Sequence, residues 1–220
     1  MDPNFLTKLY GLRYHANDLS RKNAIWKVLC NNFFQKYINK TDIVIDVACG
    51  HREFINNIIA SNKIAIDLNP ESKKFLDSSI NFYQLSASNI SQVGEGIADV
   101  LFVSNFLEHL RDKTALEEFY DQVLSLLKPG GKFMILGPNL RYMPGKYWDY
   151  YDHFLGLTHF SLIESLELHG FKIILCIDKF LPHSDRGKSL PHPILPWGYL
   201  KFPFVWKIMG KQFFIICEKI

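Results

Sequence analysis

Seven short apolar runs, rich in β-branched and aromatic residues, recur along the chain and predict seven β-strands. The runs lie at about residues 43–47, 63–67, 81–85, 99–103, 131–137, 171–177 and 212–217. Helical patterns separate several of the runs, and strands that alternate with helices are typical of a parallel, doubly wound α/β sheet. The connection between the last two runs shows no clear helical pattern, so these two strands are expected to form an antiparallel edge.

The helical patterns have recognisable ends. Two capping boxes predict helix starts, and two glycine-containing turns predict the corresponding helix ends. These signals are Thr114-x-x-Glu117 followed by Pro129-Gly130-Gly131, and Ser161-x-x-Glu164 followed by Gly170. Residues 4–40 are expected to be mostly helical, with one apolar face. That face comprises Trp26, Leu29, Phe33, Phe34 and Tyr37.

Two long segments exceed what a minimal α/β fold needs. Residues 138–157 leave the end of a predicted strand, and ligands of open α/β sheets bind beyond the carboxyl ends of strands, so this loop is assigned to the substrate side. Residues 178–210 contain five prolines and many aromatic residues, which predicts an ordered lid insertion. We expect one domain over the whole chain, with a helical cap at 1–40, a core at 41–177 and a last strand at 211–220.

The composition is that of an ordinary soluble protein. Apolar residues make up 48% and charged residues 21% of the sequence, and the formal net charge of +3 is too small to indicate nucleic-acid binding. The four cysteines show neither metal-ligand spacing nor a disulfide framework, which is typical of reduced thiols. No apolar run approaches the length of a membrane span, and the N-terminus lacks a signal-peptide pattern. A cytoplasmic enzyme is therefore expected.

The most informative stretch, Ile43–Phe54, ends a strand in an acid and continues through a small-residue turn into a helix. Such a turn presents backbone N–H groups at the helix start, which suits a nucleotide. A second strand ends in Asp67, about 20 residues after Asp46, where an acid is placed to bind a ribose diol. Two such strand ends predict an adenosyl cofactor. The turn has one glycine, Gly50, where a dinucleotide fold has G-x-G-x-x-G, so a nicotinamide oxidoreductase is the less favoured alternative.

The turn resembles the first motif of class I S-adenosylmethionine (SAM) methyltransferases, acid-x-G-x-G-x-G. Asp46 stands at the acid, Ala48 at the first glycine and Gly50 at the second. Arg52 stands at the third glycine, which departs from the pattern. This departure and the absence of an acid after the third strand motivate a second function class, a non-catalytic binding protein that has kept the fold.

A side chain as long as that of Arg52 would crowd the cofactor if it pointed inward. Arg52 is therefore expected to point outward or to pair with an acid such as Glu53 or Glu108. A guanidinium inside the cofactor volume would favour the non-catalytic alternative.

Further motifs extend the resemblance over about residues 40–177. Asp99–Leu110 resembles the fourth-strand motif of small-molecule SAM methyltransferases, and Leu126–Phe133 resembles the turn into their fifth strand. The family fold implies a Rossmann-like seven-stranded sheet of order 3-2-1-4-5-7-6. A narrower resemblance is to an uncharacterised bacterial subgroup often associated with surface-polysaccharide biosynthesis. It rests on Gly137-Pro-Asn-Leu-Arg-Tyr142, Tyr147-Trp-Asp149, Asp152-His153, Leu157-Thr158 and Phe180-Leu-Pro-His183.

The resemblance implies a role for each matched position of the cofactor site. Asp46, Ala48 and Gly50 would form the loop at the methionine side, and Asp67 would accept hydrogen bonds from both ribose hydroxyls. The family often has an acid after its third strand that meets the adenine amine, and this chain has none there. The other implied contacts are Leu68 beside the adenine, Ser86, Ala87 or Ser88 at the adenine amine, and Asn105 near the sulfonium.

A hydroxyl acceptor needs a base, because it is a poor nucleophile at neutral pH. His153 follows Asp152 in the substrate-side loop, and these two residues are the predicted catalytic pair, with loop ordering as the alternative role of His153. His109 and His159 are expected to be structural. No metal is expected, since His153, Asp149 and Asp152 lack a recognisable ligand spacing.

The expected acceptor is a small molecule or glycoconjugate. Arg141, Tyr147 and Trp148 offer a cation and aromatic faces for it, unless the two aromatic residues only pack the loop onto the sheet. Segment 179–211 has a local charge of +5, from Lys179, Arg186, Lys188, Lys201, Lys207 and Lys211 against Asp185, interleaved with aromatic residues. These features favour an anionic or lipid-linked acceptor and a peripheral contact with the inner membrane face, with a lid packed on the sheet edge as the alternative. The sequence thus predicts a SAM-dependent O-methyltransferase.

Overall fold

The computed structural model describes residues 8–9, 16–183, 192 and 194–220. Its seven strands form one sheet of order β3-β2-β1-β4-β5-β7-β6, which confirms the predicted Rossmann-like α/β fold. The strands are β1 (Ile43–Val47), β2 (Asn62–Asp67), β3 (Asn81–Gln84), β4 (Ala98–Ser104), β5 (Leu127–Pro138), β6 (Phe171–Ile177) and β7 (Gln212–Lys219). Asp185, Arg186, Lys188, Pro191, Pro193 and most of residues 4–15, which the predictions above include, lie outside the described residues.

Six α-helices and several short 3-10 helices accompany the strands within the described residues. The α-helices are α1 (Ala16–Asn32), α2 (Glu53–Asn57), α3 (Lys113–Leu126), α4 (His159–Leu168), α5 (Ile194–Lys201) and α6 (Pro203–Met209). The 3-10 helices are Phe34–Tyr37, Pro70–Phe75, Ala87–Val93, Leu107–His109, Leu140–Tyr142 and Lys146–Asp149.

The chain groups into two compact units, of which the first comprises residues 1–86 and 184–203. Its strands β1, β2 and β3 are all parallel. Strands β1 and β2 are mostly buried, whereas β3 at the sheet edge is mostly exposed. Helix α1 packs against α2 and α5. Its buried face holds Leu29 and Cys30, and Phe33 and Phe34 continue that face beyond the helix end. This unit contains the carboxyl ends of β1 and β2, where the candidate cofactor residues Asp46, Ala48, Gly50 and Asp67 lie.

The second unit comprises residues 87–183 and 204–220. Strand β4 runs parallel to β5, whereas β7 pairs antiparallel with both β5 and β6. The predicted antiparallel pairing of the last two strands is therefore confirmed. Helix α3 buries Leu116, Phe119, Tyr120 and Val123 against its neighbours.

The predicted helix starts are wrong by a few residues. Helix α3 begins after Asp112, whose carboxylate accepts a hydrogen bond from the Ala115 amide at 2.9 Å, so Thr114 already lies inside the helix. Helix α4 begins after Thr158, which forms a reciprocal cap with Ser161. At both helix starts several nearby polar residues could serve as the N-cap. The residue that does so, Asp112 or Thr158, is the last one with an extended backbone before the helix.

The turn Pro129-Gly130-Gly131 does not itself end α3, which stops at Leu126, and instead it lies within β5. The register of β5 against β4 shifts at this point, where Gly130 has φ +73°. The long segment 178–210 is also more regular than predicted, because it contains α5 and α6. Pro196 and Pro203 lie in the first turns of these helices, where a missing N–H costs no hydrogen bond.

Candidate functional site

The turn after β1 is left-handed at each position that matches a glycine of the SAM motif. Ala48, Gly50 and Arg52 have φ values of +55°, +51° and +66°, so all three positions matched to the motif glycines are left-handed. Such a conformation costs an L-residue other than glycine about 1–2 kcal/mol. The chain therefore keeps the shape of the glycine motif at Ala48 and Arg52 despite this cost.

Asp67 lies at the end of β2 and is tied to that turn. Its Oδ2 accepts a hydrogen bond from the Gly50 amide at 2.8 Å, and its Oδ1 accepts one from the Asn69 amide at 2.8 Å. The carboxylate is buried, and burial raises its pKa even though these amide donors oppose the shift. The carboxylate also accepts a hydrogen bond from the Ser72 side chain. Since a carboxylate has about four lone-pair positions, these three hydrogen bonds leave it capacity to accept from a ligand.

Asp46 lies deeper, at the end of β1, and is almost fully buried. Burial raises its pKa well above the ordinary value, and the nearby charges of Glu53 and Asp67 raise it further. A backbone hydrogen bond with Ile55 acts in the opposite direction. Asp46 thus links the strand end to the start of α2 and holds the turn between them.

The prediction that Arg52 points outward or pairs with an acid is wrong. Its side chain is buried, with 2% exposure, and it turns toward the 3-10 helix that follows β2. Its Nη1 donates to the carbonyls of Ser72 at 2.6 Å and Glu71 at 3.3 Å, and the guanidinium lies 4.0 Å from the ring centroid of Phe75. Two backbone carbonyls and a ring therefore take the place of the expected acid. The guanidinium fastens the turn after β1 to the segment after β2.

The remaining predicted cofactor residues lie in connecting segments. Leu68 is half-buried directly after β2, and its carbonyl accepts from the Gln84 side chain at 3.3 Å. Ser86 and Ala87 are half-buried and Ser88 is exposed, where the chain leaves β3 for the 3-10 helix Ala87–Val93. In the second unit, Asn105 follows β4 in a left-handed conformation and is exposed. Their contacts with a cofactor stay a prediction.

A cluster of histidines and acids forms in the second unit. The Nδ1 atom of His109 lies 2.8 Å from the Asp152 carbonyl and 3.2 Å from an Asp152 carboxylate oxygen. A carbonyl can only accept a hydrogen bond, so Nδ1 of His109 carries a proton, and Nε2 has a lone pair whenever the ring is neutral. Asp152 therefore orients His109, the histidine that the sequence favoured as structural.

His153 is the second histidine of this cluster. Its ring lies 5.1 Å from the His109 ring, stacks on Tyr150 at 4.9 Å and meets Tyr147 edge-on at 5.0 Å. The loop that carries it is fixed to the segment after β4, because the Glu108 carbonyl accepts hydrogen bonds from the amides of Phe154 and Leu155 at 2.9 and 3.1 Å. Position and orientation of both rings are thus set by the fold.

The three predicted acceptor residues have different environments. Arg141 is exposed, with its guanidinium 5.2 Å from the Phe160 ring, and Trp148 is half-exposed. Tyr147 is fully buried, and its hydroxyl donates to the Leu155 carbonyl at 2.6 Å. Tyr147 therefore packs the loop and presents no face to a ligand, which corrects the expectation for this residue, whereas the roles of Arg141 and Trp148 stay predictions.

Comparisons with known proteins decide the family. A methyltransferase-domain family profile matches residues 21–175. The chain belongs to this family. No curated protein matches it. Among solved structures it is similar to a SAM-dependent methyltransferase from Archaeoglobus fulgidus, with 19% identity over 90% of this chain and 94% of that chain and a TM-score of 0.65. It is also similar to SAM-dependent methyltransferases from Methanosarcina mazei, with 16% identity over 85% and 96% and a TM-score of 0.60.

The same fold serves other chemistry, since the [4+2]-cyclase SpnF is also similar to this chain, with 13% identity over 90% of it and 80% of that chain and a TM-score of 0.60.

Family and fold identify SAM as the cofactor of this methyltransferase. The residues of the first unit fit it: the turn is left-handed at the three motif positions, and Asp67 keeps acceptor capacity at the strand end. Within the described residues, no helix combines the length and apolar character needed to cross a bilayer.

Proposed function

We propose that this methyltransferase acts on a hydroxyl oxygen of a small molecule or glycoconjugate. The observation that carries the proposal is the orientation of His109 by Asp152, with Nδ1 protonated and the Nε2 lone pair available. His109 follows Asn105, the position that the family resemblance puts near the sulfonium, by four residues in the same segment. A base at this place suits an acceptor that must lose a proton.

When bound, SAM supplies a methyl group on a positively charged sulfur. A hydroxyl oxygen attacks such a carbon readily only as its proton leaves, so a base in hydrogen-bond reach accelerates the reaction. Nε2 of His109 accepts that proton, and the Asp152 carboxylate at 3.2 Å stabilises the imidazolium that forms. His153, on the same fixed loop, is the second candidate for this role.

The experiment measures release of S-adenosylhomocysteine with a panel of hydroxylated acceptors, sugar phosphates and lipid-linked sugars first. Replacing the base by glutamine should lower kcat by about 10²–10⁴ with SAM affinity unchanged. His109→Gln tests the first candidate and His153→Gln the second. The exposed His192 supplies the control, as His192→Gln should have wild-type activity. Rates within about threefold of wild type in both variants would contradict base catalysis by this cluster.

The exposed surface of the C-terminal helices favours an anionic, partly apolar acceptor. In the first unit, Ile194, Leu195 and Trp197 of α5 are 61%, 60% and 48% exposed. In the second unit, Phe204 and Ile208 of α6 are 65% and 74% exposed. Residues 194–211 include three lysines and no acid. Exposed apolar side chains with nearby cations are typical of surfaces that contact an anionic membrane.

We therefore infer that the acceptor is lipid-linked or phosphate-linked and that the protein reaches it at a membrane surface. Co-sedimentation with vesicles of an anionic lipid should detect binding at low salt that weakens at high salt, because the charge contribution is screened. Vesicles of a neutral lipid are the control. Equal sedimentation with and without anionic vesicles at low salt would contradict the membrane contact.

A further inference from the structure

Glu108, His109 and His153 bring three metal-binding side chains together within the second unit. One ligand atom from each lies within 4.8 Å of the other two. Glu108 and His109 follow β4, whereas His153 lies in the loop before α4. Because His153 follows His109 by 44 residues, no local spacing motif in the sequence reveals the cluster.

In this cluster a ring nitrogen of His109 faces a carboxylate oxygen of Glu108. The Asp152 carbonyl fixes the proton of His109 on Nδ1, which leaves a lone pair on Nε2. That Nε2 lies 4.0 Å from Oε1 of Glu108, a carboxylate of which only 4% is exposed. A separation of 4.0 Å is too long for a hydrogen bond. Two ligands of one tetrahedral metal ion with bonds of about 2.0–2.2 Å lie about 3.3–3.6 Å apart, so the two atoms need to approach by only about 0.5 Å to share an ion.

We propose that Glu108, His109 and His153 bind a divalent transition-metal ion of the zinc type. Two imidazoles and one carboxylate form a donor set that such ions prefer, and three protein ligands leave a position open. Mg²⁺ and Ca²⁺ prefer sites made of oxygen ligands, so this set disfavours them. Because two of its three ligands are nitrogen atoms, the site favours an ion such as Zn²⁺ over ions that prefer oxygen ligands.

The surroundings of the three residues are those of a prepared metal site. Asp152 holds His109 through its carbonyl and its carboxylate, which is how ligating histidines are usually oriented. The Glu108 carbonyl accepts the amides of Phe154 and Leu155, so it joins the two ligand-bearing segments. The His109 side chain is 23% exposed, which gives an ion access from solvent.

The inference deepens the proposed function and rests on it for its chemical role. A hydroxyl that binds to such an ion loses its proton at a lower pH than a free hydroxyl does. With the ion bound, the lone pairs of His109 and His153 would hold the cation and could not accept a proton. The cation would then acidify the acceptor hydroxyl, whose proton would leave to solvent, and the ion would replace the histidine base of the proposed function. Metal binding itself can be measured without SAM and without an acceptor.

The test is calorimetric titration of the chelator-treated, dialysed full-length protein with Zn²⁺, and separately with Mg²⁺. Zn²⁺ should bind one site that raises the melting temperature, and Mg²⁺ should not compete for it. Glu108→Gln, His109→Gln and His153→Gln should each weaken Zn²⁺ binding by more than about 100-fold, since each removes a ligand. Asp152→Asn should weaken it about 10-fold, because the Asp152 carbonyl still orients His109.

Glu118→Gln and His192→Gln are the matched controls, because both residues are exposed and lie outside the cluster. Circular dichroism of every variant confirms that it is folded. Zn²⁺ affinity that is the same in wild type and in all three ligand variants would overturn the metal site. SAM titration of the same samples separates the two proposals. If the protein binds SAM but not Zn²⁺, only the metal site is refuted. If it does not bind SAM, the proposed function is refuted.

Discussion

Arg52 offers a measurement of how much a buried guanidinium contributes at a strained backbone position. Arg52→Ala removes the short hydrogen bond to Ser72 and the contact with Phe75, while the residue keeps a φ of +66°. A hydrogen bond from a charged group contributes about 1.5–3 kcal/mol and a ring contact about 0.5–1 kcal/mol. We therefore expect Arg52→Ala to lower the free energy of unfolding by about 2–4 kcal/mol.

Arg52→Gly separates the backbone from the side chain. It loses the same contacts, but glycine removes the left-handed strain of about 1–2 kcal/mol and costs part of that gain in unfolded-chain entropy. The glycine variant should thus be about 1 kcal/mol more stable than the alanine variant and still less stable than wild type. Urea unfolding followed by circular dichroism gives the three values.

The exposed Arg111 is the control, and Arg111→Ala should change the free energy of unfolding by less than about 0.5 kcal/mol. If Arg52→Ala were as stable as Arg111→Ala, the buried contacts would contribute nothing. If Arg52→Gly were less stable than Arg52→Ala, the backbone could not be left-handed at this residue.

Three further predictions concern stability. Burial and the charge of Lys22 lower the pKa of His51 from 6.5 to about 4. Between these two pH values the unfolded state binds more protons than the folded state, so the free energy of unfolding should fall as the pH drops from about 6.5 to 4. In pH-dependent urea titrations, His51→Gln should reduce that fall. Asn139→Ala should cost about 2–4 kcal/mol in urea unfolding, because it leaves His159 Nδ1 and the Asp178 carbonyl without their 2.9 Å donor; a change under 0.5 kcal/mol would refute this. Gly210→Ala would bring a Cβ to 2.5 Å from the Lys179 backbone and should cost about 1–3 kcal/mol, whereas Gly145→Ala, with open space around it, should melt like wild type.

The fold could be predicted closely because its signals are local. Apolar β-branched runs that end in acids or small residues fix the strands to within a few residues, and the motif order implies their arrangement in the sheet. The helices at 194–201 and 203–209 were not predictable in the same way, because prolines and a glycine interrupt the apolar spacing. Packing against α1 stabilises the first of them, and a sequence pattern does not display such a contact.

The site was less predictable because its contacts join distant parts of the chain. Asp67 and Gly50 could be matched to a motif, and the left-handed turn agrees with that match. The partners of Arg52 are backbone carbonyls about 20 residues away, which no residue type reveals. Likewise, His109 is oriented by the carbonyl and the carboxylate of Asp152, 43 residues away in sequence, and no spacing pattern predicts that contact.

The central claim is that the strand ends of the first unit bind SAM through Asp67. The most direct measurement is calorimetric titration of SAM into wild type, Asp67→Ala and the exposed control Asp77→Asn. Wild type and the control should bind alike, and Asp67→Ala should bind more weakly by about 2–4 kcal/mol, because two ribose hydroxyls lose a charged acceptor. Circular dichroism should show that all three are folded. Failure of wild type to bind SAM at millimolar concentration, or equal affinity in Asp67→Ala, would contradict the account.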